Sequence, residues 1–233
     1  MSRYVAVFAL LAALTGCEEA RNQPEGGSAS SAPGAERQSV VFLGTSLTAG
    51  LGLEPEQAYP ALIQHKIDSA GLAYRVINAG VSGESSAGAR RRVDWLLRSP
   101  VAVLVVETGA NDGLRGLSPD SLRANIQAVL DRARALRPPP ELVLVGMRVP
   151  PNLGRTYSRR FEAIYPELAR ENDAALVPFL LDGVGGMPQL NQADGMHPTA
   201  EGHRLMAETV WRVLEPVLRS TRRAPRPRAP SDG

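Results

Sequence analysis

Three side chains in this sequence are of the types that, brought together, make an activated alcohol: Ser46, Asp194 and His197. A serine hydroxyl is a poor nucleophile until a base within hydrogen-bond reach takes its proton. Imidazole suits that task because its pKa lies near working pH. His197 stands in Asp194-Gly195-Met196-His197-Pro198. A carboxylate three positions earlier can accept the hydrogen of the second ring nitrogen, which fixes the tautomer and stabilises imidazolium. Gly195 permits a tight turn between the two, and Pro198 biases His197 toward extended backbone. Ser46 lies in Gly44-Thr45-Ser46-Leu47-Thr48, where Gly44 would let the chain turn sharply. Acyl transfer also needs fixed donors for the charge that develops on the carbonyl oxygen. Ser82-Gly83-Glu84-Ser85 offers the Gly83 N–H, and Gly109-Ala110-Asn111-Asp112-Gly113 offers the Asn111 amide. Asp112 reads as structural, since an oxyanion wants donors and not another carboxylate. Taken singly, each piece has a plain reading: a serine cap, two glycine-rich turns, a loop aspartate and a histidine flanking a helix.

The elements around these residues decide whether they can meet. Val40 to Leu43 is a short apolar run ending at Gly44, which predicts a buried strand. Tyr59 to Ala70 has helical spacing and stops at Gly71. Tyr74 to Asn78 predicts a second strand and Ser85 to Leu97 a second helix. Val101 to Val106 is an unbroken apolar run, typical of a central parallel strand. Leu122, Ile126, Val129, Leu130, Ala133 and Leu136 form an amphipathic helix halted by Pro138-Pro139-Pro140. Leu142 to Val145 predicts a fourth strand. A helix around Phe161, Ile164 and Leu168, with a bend at Pro166, leads to a fifth strand at Ala175 to Val177. Leu205 to Val217 carries the last helical stripe. Such alternation predicts a parallel sheet covered by helices on both faces, with ligand outside the carboxyl ends of the strands. Ser46, Gly83, Asn111 and the Asp194–His197 segment all follow strands, so the topology sends them to one edge.

Together the pieces are far more specific than any one. Ser in Gly-Thr-Ser-Leu, Gly83 after Asn78-Ala79-Gly80-Val81-Ser82, Asn111 before Asp112, and Asp-x-x-His in this order resemble the GDSL/SGNH hydrolase superfamily. Gly-Ala-Asn-Asp-Gly-Leu-Arg-Gly (109–116) and the stretch from Arg148-Val149-Pro150-Pro151-Asn152 through Ile164-Tyr165-Pro166 resemble its bacterial thioesterase/arylesterase/lysophospholipase group. The resemblance spans Val40 to Val217. It implies a three-layer α/β/α sandwich of the flavodoxin-like kind with a five-stranded, mostly parallel sheet. It further implies Ser46 as nucleophile, Asp194 and His197 as its partners, and an oxyanion hole from the Ser46 N–H, the Gly83 N–H and the Asn111 side chain. Leu114, Leu117, Val149 and Pro150 are then expected beside substrate. One position departs from the family pattern: Thr45 stands where Gly-Asp-Ser-Leu has a carboxylate. The triad roles do not require that carboxylate, so the departure bears on rate and pH tuning. The reaction expected is hydrolysis of acyl esters, and of thioesters or lysophospholipids, through an acyl-enzyme, with no cofactor. Two rivals are a carbohydrate O-acetylesterase of the cell envelope and an inactive lipoprotein that binds lipid or a partner.

Bulk properties restrict the rest. The 233 residues fit one domain with tails, and 43% hydrophobic content supports a core for a domain of ~180 residues. A net charge of +2 gives no argument for nucleic acid. No metal-ligand cluster, phosphate loop or dinucleotide fingerprint is present. His203 and His65 read as structural or exposed side chains. Arg3 followed by an apolar run from Val5 to Leu14 is too short to span a bilayer but suits a secretory signal. Leu14-Thr15-Gly16-Cys17 resembles a bacterial lipobox, implying cleavage before Cys17 and its lipidation, with durable anchoring from more than one acyl chain. By the same resemblance, Glu18 in place of Asp after the cysteine implies the outer membrane, facing the periplasm. The organisation expected is a leader (1–17), a flexible Gly/Ser/Ala/Pro tether (18–38), a hydrolase domain (39–219) acting as a monomer, and an Arg/Pro-rich disordered tail (220–233).

Overall fold

A computed structural model describes residues 37–221 of the chain. The expected leader with Cys17, the tether up to residue 36 and the tail from residue 222 lie outside the described residues. The first apolar run forms β1 (Gln38–Gly44), buried from Ser39 onward. The others form β2 (Tyr74–Gly80), β3 (Val103–Glu107), β4 (Glu141–Val145) and β5 (Ala175–Val177). Their order is β2-β1-β3-β4-β5 and every neighbouring pair is parallel. The sheet is therefore wholly, not mostly, parallel.

The helices are α1 (Ser46–Ala49), α2 (Tyr59–Ser69), α3 (Ser86–Leu96), α4 (Ala110–Leu114), α5 (Pro119–Arg134), α6 (Arg155–Glu171) and α7 (Ala200–Thr221). Packing pairs α2 with α7, and α3 with α5 and α5 with α6, which gives a helical layer on each side of the sheet. Every residue of β3 is buried, as a strand covered on both faces requires. The α5 stripe of Leu122, Ile126, Val129, Leu130 and Ala133 faces the core. The expected bend does not end α6, which runs helically through Pro166. Gln38 pairs with Tyr74, and α7 extends to Thr221.

The position of β1 matters most. Its neighbours are β2 on one side and β3 on the other, so the chain leaves it in opposite directions. A crevice opens at the carboxyl ends of strands where the winding reverses in this way. The segments after β1, β2 and β3 carry Ser46, Gly83 and Asn111 to that crevice.

Candidate active site

The turn that presents Ser46 is wrapped around a buried carboxylate. Glu107, the last residue of β3, is fully buried. Its Oε2 accepts the Thr45 N–H at 2.8 Å and the Thr48 hydroxyl at 2.8 Å. The Thr45 hydroxyl lies 3.1 Å from each of its oxygens. Gly44 is needed for close approach, not for left-handed backbone: a Cβ there would come within 1.9 Å of Thr48 Oγ1 and 2.8 Å of Glu107 Oε2. Burial raises the Glu107 pKa, against the lowering effect of the Thr45 and Thr48 hydrogen bonds. Thr45 is thus a neutral group packed against an acid that already occupies the site.

His197 Nε2 lies 3.0 Å from Ser46 Oγ. Its Nδ1 lies 2.6 Å from Asp194 Oδ2. A carboxylate only accepts, so Nδ1 carries the hydrogen and Nε2 is left free to accept the serine proton. The Asp194–His197 loop is a small hairpin between β5 and α7. Gln192 N–H donates to His197 O at 2.7 Å, Thr199 N–H donates to Leu190 O at 2.9 Å, and Asn191 bridges Pro198 antiparallel. Gly195 turns it with φ +67°. Asp194 Oδ1 accepts the N–H groups of Met196 and His197 at 2.9 and 3.0 Å. The His197 ring, then these backbone donors, hold the Asp194 carboxyl well below the usual carboxylate range.

The three donors expected for an oxyanion converge on the same cleft. Neither the Ser46 N–H nor the Gly83 N–H has a protein acceptor among the described residues. Gly83 adopts φ +77° and its carbonyl accepts from Arg115 at 2.8 Å. Asn111 Nδ2 donates to Glu84 O at 3.0 Å, which orients the amide and leaves its second N–H for the cleft that Asn111 lines. Asp112 is structural, as its chemistry suggests: buried, it accepts the Ser86 N–H at 2.8 Å and the Ser86 hydroxyl at 2.5 Å.

The cleft holds about 390 Å³. Leu114, Val149 and Pro150 line it; Leu117 does not. The left-handed turn at Gly116 ends the α4 segment and carries Leu117 away, leaving its side chain exposed and its carbonyl bonded to Tyr157. Leu51, Met147, Leu181 and Met196 complete an apolar wall that sequence reasoning missed. Arg148 also lines it, with its guanidinium 4.6 Å from the centre of the Phe179 ring. His65 is exposed. His203 is buried and structural: Nδ1 accepts the Tyr59 N–H at 3.0 Å, and burial, with the nearby His197, holds its pKa down at about 4.

Comparison with known proteins places this geometry. A profile of the GDSL-like Lipase/Acylhydrolase family matches residues 42–205. "Esterase TesA" of Pseudomonas aeruginosa is 40% identical over 185 residues, covering 79% of this chain and 91% of that protein. "Thioesterase 1/protease 1/lysophospholipase L1" of Escherichia coli K12 is 37% identical over 186 residues, covering 79% of this chain and 86% of that protein. The crystal structure of AlinE4, an SGNH-hydrolase family esterase, superposes with a TM-score of 0.65 at 41% identity, covering 78% of this chain and 97% of that one.

Proposed function

The chain belongs to the GDSL-like lipase/acylhydrolase family and is a serine esterase, and on that premise we propose that Ser46 is the nucleophile that carries the acyl group. His197 takes the Ser46 proton as Oγ attacks the substrate carbonyl. The Ser46 N–H, the Gly83 N–H and the Asn111 amide receive the developing oxyanion. The proton held on Nε2 passes to the leaving group as the acyl-enzyme forms. Water, deprotonated by the same nitrogen, then attacks the acyl carbon, and collapse of the second tetrahedral species returns the serine. Asp194 keeps the imidazole in the required tautomer and stabilises its cationic form. The observation that carries this reading is the unbroken relay from Ser46 Oγ through His197 to Asp194, with spacings of 3.0 and 2.6 Å.

The apolar wall of Leu51, Leu114, Met147, Val149, Leu181 and Met196 supports an acyl chain in the cleft. We infer carboxylic esters, lysophospholipids among them, and fatty acyl thioesters as substrates, in keeping with the activities named for the relatives. Turnover of p-nitrophenyl esters and acyl thioesters of graded chain length, by wild type and Ser46→Ala, tests this. Activity rising from acetyl to octanoyl in wild type and absent from the variant is the expected outcome. Equal turnover by the two proteins overturns it. We further infer export and anchoring through Cys17, supported by the Leu14-Thr15-Gly16-Cys17 sequence. Wild type should then sediment with the outer membrane and Cys17→Ala should be recovered in the soluble fraction; a soluble wild type contradicts it.

A further inference from the structure

We propose that the ion pair between Glu84 and Arg92 is the positioning device that holds the three oxyanion donors in register. The inference rests on the assignment of those donors above. Neither residue lines the cleft, so neither touches substrate.

The geometry is specific. Arg92, on α3, directs Nε to both oxygens of Glu84 at 2.8 Å, and its terminal nitrogen reaches Oε2 at 2.8 Å. The same terminal nitrogen donates to Gly44 O at 3.1 Å. Gly44 closes β1 two residues before Ser46, so this bond grips the nucleophile turn. Glu84 directly follows Gly83, so the pair also fixes the segment that carries the second donor. The backbone carbonyl of Glu84 accepts from Asn111 Nδ2, which ties in the third. One ion pair thereby joins segments that leave β1, β2 and β3.

The pair is also shielded. Its side chains are only 11% and 20% exposed, unlike the other carboxylate pairs of arginine and lysine among the described residues. Gly88 makes room for it, since a Cβ there would stand 2.5 Å from Glu84 Cγ. A flat guanidinium can hold a carboxylate and a carbonyl at once in a fixed fork, which a point charge does less well. A static brace of this kind acts on catalysis because donors must already sit where charge will develop.

Arg92→Met and Glu84→Gln test the proposal. Activity is normalised to active sites by titration with a fluorophosphonate, with the adduct mapped by mass spectrometry. Each variant should lose about tenfold to 10²-fold in kcat, the scale for donors displaced by a fraction of an ångström to 1 Å. KM should stay within about threefold, because ground-state binding rests on the apolar wall. Inhibition by an acyl trifluoromethyl ketone should weaken by the same factor as kcat/KM. The double variant should lose little more than either single one, as expected for residues acting as a unit. If Arg92→Met does not fold, Glu84→Gln carries the test. Wild-type kcat per titrated site in the variants overturns the brace, and so does a fully additive double variant. Failure of the wild type to be labelled at Ser46 would instead overturn the site assignment on which the brace rests.

Discussion

Replacing Glu107 should expose how the nucleophile turn is held. In Glu107→Leu the volume is roughly kept but every acceptor is gone. The Thr45 N–H and hydroxyl lose their partner inside the protein, while Thr48 keeps Tyr59. A buried donor left unsatisfied costs about 1–3 kcal/mol, so the two together should cost on the order of 2–6 kcal/mol, a large part of the 5–15 kcal/mol typical of a domain. Glu107→Gln keeps an acceptor for the Thr45 N–H and should cost less. Its cost should also depend on pH. Burial raises the folded pKa of Glu107 above its unfolded value. The stability this group contributes is therefore fully present below the unfolded pKa and lost as pH rises through the folded one. The penalty of the Gln variant should be largest near pH ~4 and shrink toward neutrality. Urea titrations of the three proteins across that range measure this. Because Thr45 precedes Ser46, the Leu variant should also lose at least about 10²-fold in kcat even where it is folded. Stability within about 0.5 kcal/mol of wild type together with full kcat in Glu107→Leu would mean that Glu107 does not hold the turn.

Other outcomes follow from the same geometry. Asn111→Ala should lower kcat by about 10²–10³ with little change in KM on a short p-nitrophenyl ester; a pure KM effect would argue against an oxyanion role. His203 is buried neutral with a pKa held at about 4, so stability should be lost as pH falls from ~6.5, where the unfolded imidazole begins to bind its proton, toward the folded value. His203→Asn, which keeps an acceptor near the Nδ1 position for the Tyr59 N–H, should flatten that slope in urea titrations. Leu114→Asp puts a carboxylate on the apolar wall and should raise KM for octanoyl esters by about tenfold, roughly 1.4 kcal/mol, while leaving acetyl esters nearly unchanged.

Much of this was legible in the chain. Strands β1, β3 and β4 are built on apolar runs, the first stopping at Gly44, and the alternation with helices permits few arrangements. That Ser46, Asp194 and His197 meet was legible in their types and their placement after strands. Other features were hidden for physical reasons. Glu107 closes an apolar run as one ordinary carboxylate, and its partners lie 62 and 59 positions away. No local pattern tells a buried acid from an exposed one. The effect of Thr45 could not be judged for the same reason, since it depends on the acid it faces. Glu84 and Arg92 look like two solvated charges near a helix start. Their meaning appears only once Gly44 O and Asn111 come beside them. The cleft wall draws on loop residues such as Leu181 and Met196, where no periodicity marks a face, and Leu117 was placed there without the Gly116 turn in view.

One hydroxyl, that of Ser46, should form the covalent intermediate once His197 takes its proton. Fluorophosphonate treatment followed by peptide mass mapping is the decisive experiment. A single adduct on Ser46 is expected, formed far more slowly in His197→Ala and absent in Ser46→Ala. An adduct on any other residue, or undiminished labelling in Ser46→Ala, would contradict it.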